Sequence, residues 1–155
     1  MDLVTIFAGF LFLVGSILFL PLFPPFYIML GASCFLLGSF VVFFMSRSNP
    51  NLVAFTSSFA YVLGSLLFFS PSTDWIGSIV FALGCVISIL ALDSKVSIAF
   101  ICNFCFIVGC LLFLINGAVF YYLAIGFFII GSFLLLLTGY QDSKPLVISV
   151  STHLI

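Results

Sequence analysis

The pair Cys102-x-x-Cys105 has a spacing that invites a thiol redox or metal-binding reading. Both chemistries need the thiolate, which forms in electropositive, partly wet surroundings. All five cysteines instead stand at set distances from recurring glycines: Cys34 and Cys105 four before one, Cys102 seven before, Cys85 and Cys110 directly after. In an apolar run such a residue packs as a small, weakly polar side chain. His153 is the single histidine and has no acidic or nucleophilic neighbour in its tail, so it reads as a solvated residue. Asn103 lies inside an apolar run, where an amide wants a partner from another helix or a wet cavity. Thr56, Ser57 and Ser58 are its expected companions. Asp74 precedes another run and reads as a helix cap. No phosphate loop, Ser/His/Asp set or paired carboxylates occur. The expectation is therefore no catalytic residue, no cofactor and no metal.

The elements that carry these residues follow from composition. Of 155 residues 65% are hydrophobic and 5% charged, with a net charge of −1 and a mean hydropathy of +1.53. A soluble domain carries about 25% charged residues; the few here cannot coat a globule. Three basic residues also argue against nucleic acid, whose binding needs clustered Lys and Arg.

Six apolar runs cover residues 3–20, 26–45, 52–69, 75–92, 96–115 and 118–140. Their lengths are close to the ~20 residues needed to cross a hydrocarbon core of ~30 Å, and such runs must be helical because lipid offers the backbone no partners. The first run has Asp2 rather than a basic flank and no small-x-small cleavage site, so it is expected to be a retained span and not a signal peptide. Turn chemistry separates the runs: Pro21, Pro24 and Pro25; Ser48-Asn49-Pro50-Asn51; Ser70-Pro71-Ser72-Thr73-Asp74; Asp93-Ser94; Asn116-Gly117. Trp75, Tyr121 and Tyr122 fall near span ends, where amphipathic rings favour the membrane interface. Arg47, Lys95 and Lys144 would all share a side with the N-terminus, so the positive-inside rule places both termini in the cytoplasm.

A repeat organises the runs. The pattern aromatic-x-x-Gly-Ser/Cys occurs once in each: Phe12 with Gly15-Ser16, Phe35 with Gly38-Ser39, Tyr61 with Gly64-Ser65, Phe81 with Gly84-Cys85, Phe106 with Gly109-Cys110 and Phe128 with Gly131-Ser132. Equivalent glycines recur about every 47 residues, the signature of a tandem supersecondary unit. Seven residues before each glycine stands another small residue: Ala8, Gly31, Ser57, Gly77, Cys102 and Ala124. Residues seven apart share a helix face. Small-residue stripes let membrane helices approach closely, so the glycines and their Ser or Cys neighbours are expected to be the packing residues, with large Phe and Leu facing lipid or filling gaps.

The stretch Gly15-Ser-Ile-Leu-Phe-Leu, followed by Gly31-x6-Gly38-Ser39, resembles the YrhK-like domain, a two-helix bacterial membrane module of unknown function. Gly64-Ser-Leu-Leu-Phe-Phe with Gly77-x6-Gly84-Cys85 is equally similar, while Ala124 departs from the pattern in the third copy. The resemblance extends to Tyr140 and implies a helical membrane fold with no catalytic residues.

The expected fold is all-α: an integral membrane bundle of six transmembrane helices in three tandem hairpins (about 3–45, 52–92 and 96–140). These form one domain, 1–140, with a tail at 141–155. The expected role is a non-enzymatic structural or accessory membrane protein, in contact with the lipid bilayer and with other membrane proteins or itself. The alternative is a channel or carrier for a small neutral or lipophilic solute, with Asn103 at a polar site.

Overall fold

Backbone breakers decide where the helices stop. The computed structural model describes residues 3–47, 51–92 and 97–141. It contains α1 (Leu3–Leu18), α2 (Pro25–Arg47), α3 (Leu52–Leu67), α4 (Asp74–Leu90), α5 (Ile98–Phe113) and α6 (Ala118–Gln141). No strand occurs among the described residues. Pro25 opens α2, at a position where its missing N–H costs no hydrogen bond. Gly117 has φ +143° just before α6, a geometry that L side chains avoid. The odd helices end earlier than their apolar runs. Leu20, Phe69 and Ile115 donate to Ile17, Leu66 and Leu112 at 3.1, 3.4 and 3.1 Å, tight i→i−3 turns that use up the last apolar residues.

The caps differ in part from the sequence reading. Asn51 caps α3, its Oδ1 accepting from the N–H groups of Val53 (2.9 Å) and Ala54 (3.4 Å). Asp74 is not the cap of α4: Thr73 holds that position and makes no side-chain cap bond. Thr73 Oγ1 instead donates back to Leu67 O at 2.9 Å, which pins the turn to the end of α3. Asp74 begins the helix, and its carboxylate accepts from the adjacent Trp75 N–H at 2.6 Å. Ser97 caps α5 by accepting from Phe100 N–H at 3.2 Å. The other proposed turn and cap residues Ser48, Asn49, Pro50, Asp93 and Ser94 lie outside the described residues, as do Asp2, Lys95, Lys144 and His153.

Among the described residues each helix packs against its two neighbours in the chain, and α6 returns to pack on α1. The six helices therefore close into a ring. The five-residue motif explains how. At 100° per residue, the aromatic side chain lies about 60° around the helix from the glycine, and the Ser or Cys about 100° around on the same side. A helix in a six-membered ring needs two contact faces roughly that far apart, with the axis between them. Glycine faces one neighbour, Ser or Cys the other, and the aromatic ring points inward.

The six motif aromatics accordingly meet on the axis. Phe12–Phe35, Tyr61–Phe81 and Phe106–Phe128 centroids are 5.1, 5.0 and 5.6 Å apart. Links across the ring include Phe12–Phe106 at 5.9 Å and Phe35–Phe128 at 5.5 Å. Edge and tilted contacts of this kind add stability beyond simple burial. Of the two places expected for large rings, facing lipid or filling gaps, the motif aromatics take the interior, because their offset from the glycine turns them inward. Other bulky residues do face out: Phe10, Phe44, Phe59, Leu83, Phe104 and Phe133 are exposed, covering all six helices. Two helices, Pro25–Arg47 and Ala118–Tyr140, are long and apolar enough to cross a membrane; the other four are apolar but shorter.

Candidate functional site

Two kinds of seam hold the ring. Within each hairpin the motif glycine of one helix faces the small residue of the other. A Cβ on Gly15 would lie 2.9 Å from Gly31 O, one on Gly64 2.9 Å from Gly77 O, and one on Gly109 3.2 Å from Ala124 O. In the reverse direction Gly38 faces Ala8 O at 3.3 Å, Gly84 faces Ser57 O at 3.0 Å and Gly131 faces Cys102 O at 3.3 Å. The obstacles are these main-chain oxygens together with the motif aromatic rings, as at Gly15, where Phe35 Cδ2 would stand 2.6 Å away, and at Gly109, where Phe128 Cδ2 would stand 2.7 Å away. A side chain here would push on both the facing backbone and the central rings.

Between hairpins the residue after the glycine lies in the seam, joined at α1–α6 by Gly9 and Gly139, whose Cβ positions stand 2.9 Å from Leu136 N and 3.0 Å from Ile6 N. Ser39 and Ser65 hydroxyls pair at 2.9 Å across α2 and α3. Further along the seam Ser46 and Ser58 lie 2.6 Å apart, each also within hydrogen-bond distance of its own helix at Phe43 O (2.8 Å) and Phe55 O (2.9 Å). Ser16 and Ser132 meet at 3.3 Å across α1 and α6. Their hydroxyl hydrogens go to Phe12 O and Phe128 O, both at 2.7 Å, so this contact is mainly packing. Cys85 and Cys110 occupy the matching positions on α4 and α5; both are fully buried and unoxidised.

Asn103 does not sit with Thr56, Ser57 and Ser58. Those hydroxyls donate to Leu52 O, Ala54 O and Phe55 O of their own helix, and so have no need of the amide. Instead Tyr61 OH donates to Asn103 Oδ1 at 2.8 Å, while Asn103 Nδ2 donates to Ala99 O at 2.8 Å. The cause is legible in hindsight. Five motif copies carry Phe and one carries Tyr, and a buried phenol needs an acceptor. Helices α3 and α5 are not neighbours, so this bond spans the interior.

The remaining thiols have structural settings. Cys102 Sγ donates to Gly131 O at 3.2 Å, part of the α5–α6 seam, and Cys102 and Cys105 are both free. Among the described residues no group of three or more His, Cys, Asp or Glu is placed to hold a metal.

One cavity lies on the axis. Its volume is about 170 Å3, and its lining comes from all six helices and their ends: Phe19, Ile28, Phe68, Asp74, Trp75, Ser78, Phe113, Tyr121 and Phe128. It opens where the three hairpin turns gather, and its floor is Phe128, one of the six central rings. Phe19, Phe68 and Phe113 are equivalent residues of the three repeats, each four after a motif glycine. Sequence reasoning missed this cavity, although that repeated phenylalanine was its signal. Tyr121 is fixed against the end of the neighbouring α1 by donating to Phe19 O at 2.9 Å.

No protein family, curated protein or solved structure matches this chain.

Proposed function

We propose that the protein is an integral membrane bundle whose six helices all cross the bilayer, with both termini on the cytoplasmic side, acting as a non-enzymatic structural or accessory component. It would pack against other membrane components or further copies of itself. The glycine and serine spacings carry the kinship to YrhK-like two-helix modules that belongs to this reading.

Three features support bilayer insertion. Only 28% of the most apolar window in α2 and α6 is buried, whereas the core helix of a soluble protein would be mostly covered. Large apolar side chains are exposed on every helix, an extent of apolar surface that water tolerates poorly. The 16-residue helices α1, α3 and α5 are about 24 Å long, a few ångströms short of the hydrocarbon core. The apolar turns at Phe19-Leu20, Phe68-Phe69 and Leu114-Ile115 extend them, and residual mismatch costs only fractions of a kcal/mol per Å. Arg47, Lys95 and Lys144 support the orientation.

The observation that carries the non-transport role is the aromatic layer on the axis. A solute passing through the ring would have to displace several interlocked rings, and Asn103 is engaged by Tyr61 rather than exposed to a channel. Reconstitution into liposomes tests this. Release of small neutral solutes should match that of protein-free liposomes, while protein-dependent flux abolished by Asn103→Leu would establish the carrier reading instead.

A further inference from the structure

The axial cavity combines aromatic surface with one uncompensated charge. Aromatic side chains provide most of its wall, and Asp74 stands at its edge. Asp74 is the only charged residue in the three hairpin turns; Arg47, the one basic side chain among the described residues, ends α2 at the opposite end of the bundle. Ring faces carry negative quadrupolar potential and attract cations, most strongly when the cation is poorly hydrated. A carboxylate beside them adds full charge. We propose that this cavity binds a small organic ammonium ion of the quaternary, choline-like class.

The chemistry selects against other occupants. A divalent metal ion wants about six oxygen ligands, and the cavity offers one carboxylate and the hydroxyls of Ser78 and Tyr121. Both hydroxyl hydrogens are committed, to Asp74 O at 3.1 Å and Phe19 O at 2.9 Å. An anion would meet Asp74 with no basic partner. Size agrees, since an apolar cavity of about 150 Å3 holds one benzene, comparable to an alkylated ammonium group. The site is independent of the structural role proposed above, and its test needs no membrane.

Trp75 is the single tryptophan of the chain and lines the cavity, so it reports occupancy. Protein purified in an uncharged maltoside detergent is titrated with choline chloride and, separately, with 3,3-dimethylbutan-1-ol, the neutral molecule of the same shape. The expected result is a saturable change of Trp75 emission with choline only, and an affinity about ten-fold weaker in Asp74→Asn, the loss of about 1.4 kcal/mol of charge attraction. Asp74 is exposed, so this variant should melt at the temperature of the unmodified protein. Equal response to the neutral alcohol, or an unchanged curve in Asp74→Asn, would overturn the proposal. Nanodiscs then separate the sources: choline should still act in phosphatidylglycerol discs. Its effect being already saturated in phosphatidylcholine discs identifies a lipid headgroup as the natural occupant, and its persistence there a free amine.

Discussion

The seams inside the hairpins and the seams between them use different physics. Inside, glycine meets a small residue and the two backbones touch, as where a Gly64 Cβ would stand 2.8 Å from Phe81 N. Between hairpins, serines at Ser39–Ser65 and Ser46–Ser58 meet through hydroxyls, and Cys85 and Cys110 take the same positions where the seam is apolar. In the bilayer setting proposed above, lipid would provide no hydrophobic drive for helix association, and packing and hydrogen bonds would carry it. The glycine seams define the repeating hairpin, and the hydroxyl and thiol seams join α2 to α3 and α4 to α5. Helix α6 closes on α1 through further glycines, a Gly9 Cβ standing 2.9 Å from Leu136 N and a Gly139 Cβ 3.0 Å from Ile6 N. One seam tolerates no added atoms; the other tolerates exchange of chemistry at constant size.

Substitutions sharpen that contrast. The largest effect is expected from Gly64→Leu, which must part α3 from α4 and cost about 3 kcal/mol or more, read as a large fall in melting temperature in detergent. Gly126 has nothing within 4 Å of its Cβ position, so Gly126→Leu is the control and should melt near the unmodified protein. Equal sensitivity of the two would dissolve the special status of the seam. Next comes Gly64→Ala, at about 1–3 kcal/mol; Gly38→Ala should be milder, since its nearest neighbours stand at 3.3 Å.

Asn103→Leu strands the phenol of Tyr61 and should cost about 1–3 kcal/mol. Adding Tyr61→Phe to that variant should recover most of the loss, whereas simple addition of two penalties would show that the bond is not the reason. The smallest effect belongs to the hydroxyl seam: Ser39→Ala is expected to cost about 0.6 kcal/mol, and Ser39→Cys, copying the α4–α5 seam, less still. A Ser39→Ala penalty as large as that of Gly64→Ala would erase the distinction between the two seams.

The helices and their small-residue spacing were legible because both are local. Pro25, Asn51 and Gly117 act on their own neighbourhoods, and a glycine seven residues after a small residue marks one face whatever that face meets. Ring closure was not legible, since the return of α6 to α1 is a contact between residues more than a hundred apart, as at Ser16 and Ser132. The inward aim of Phe12, Phe35 and their equivalents was encoded in the motif, yet it becomes readable only once a helix is known to need two contact faces. Asn103 was recognised as wanting a partner, but Thr56, Ser57 and Ser58 proved satisfied by their own helix. The axial cavity depends on three separated turns converging, which no single stretch reveals.

Closure of the ring between its first and last helices is what every other feature relies on, and it can be read directly. Ser16→Cys and Ser132→Cys are introduced together into a chain whose five native cysteines are replaced by alanine, with a protease site inserted at 93–96. After mild oxidation and cleavage, the two fragments should migrate as one species of monomer mass that separates on reduction, with no dimer before cleavage. Fragments that separate without reductant, in a protein that is otherwise folded, would mean that α6 does not return to α1.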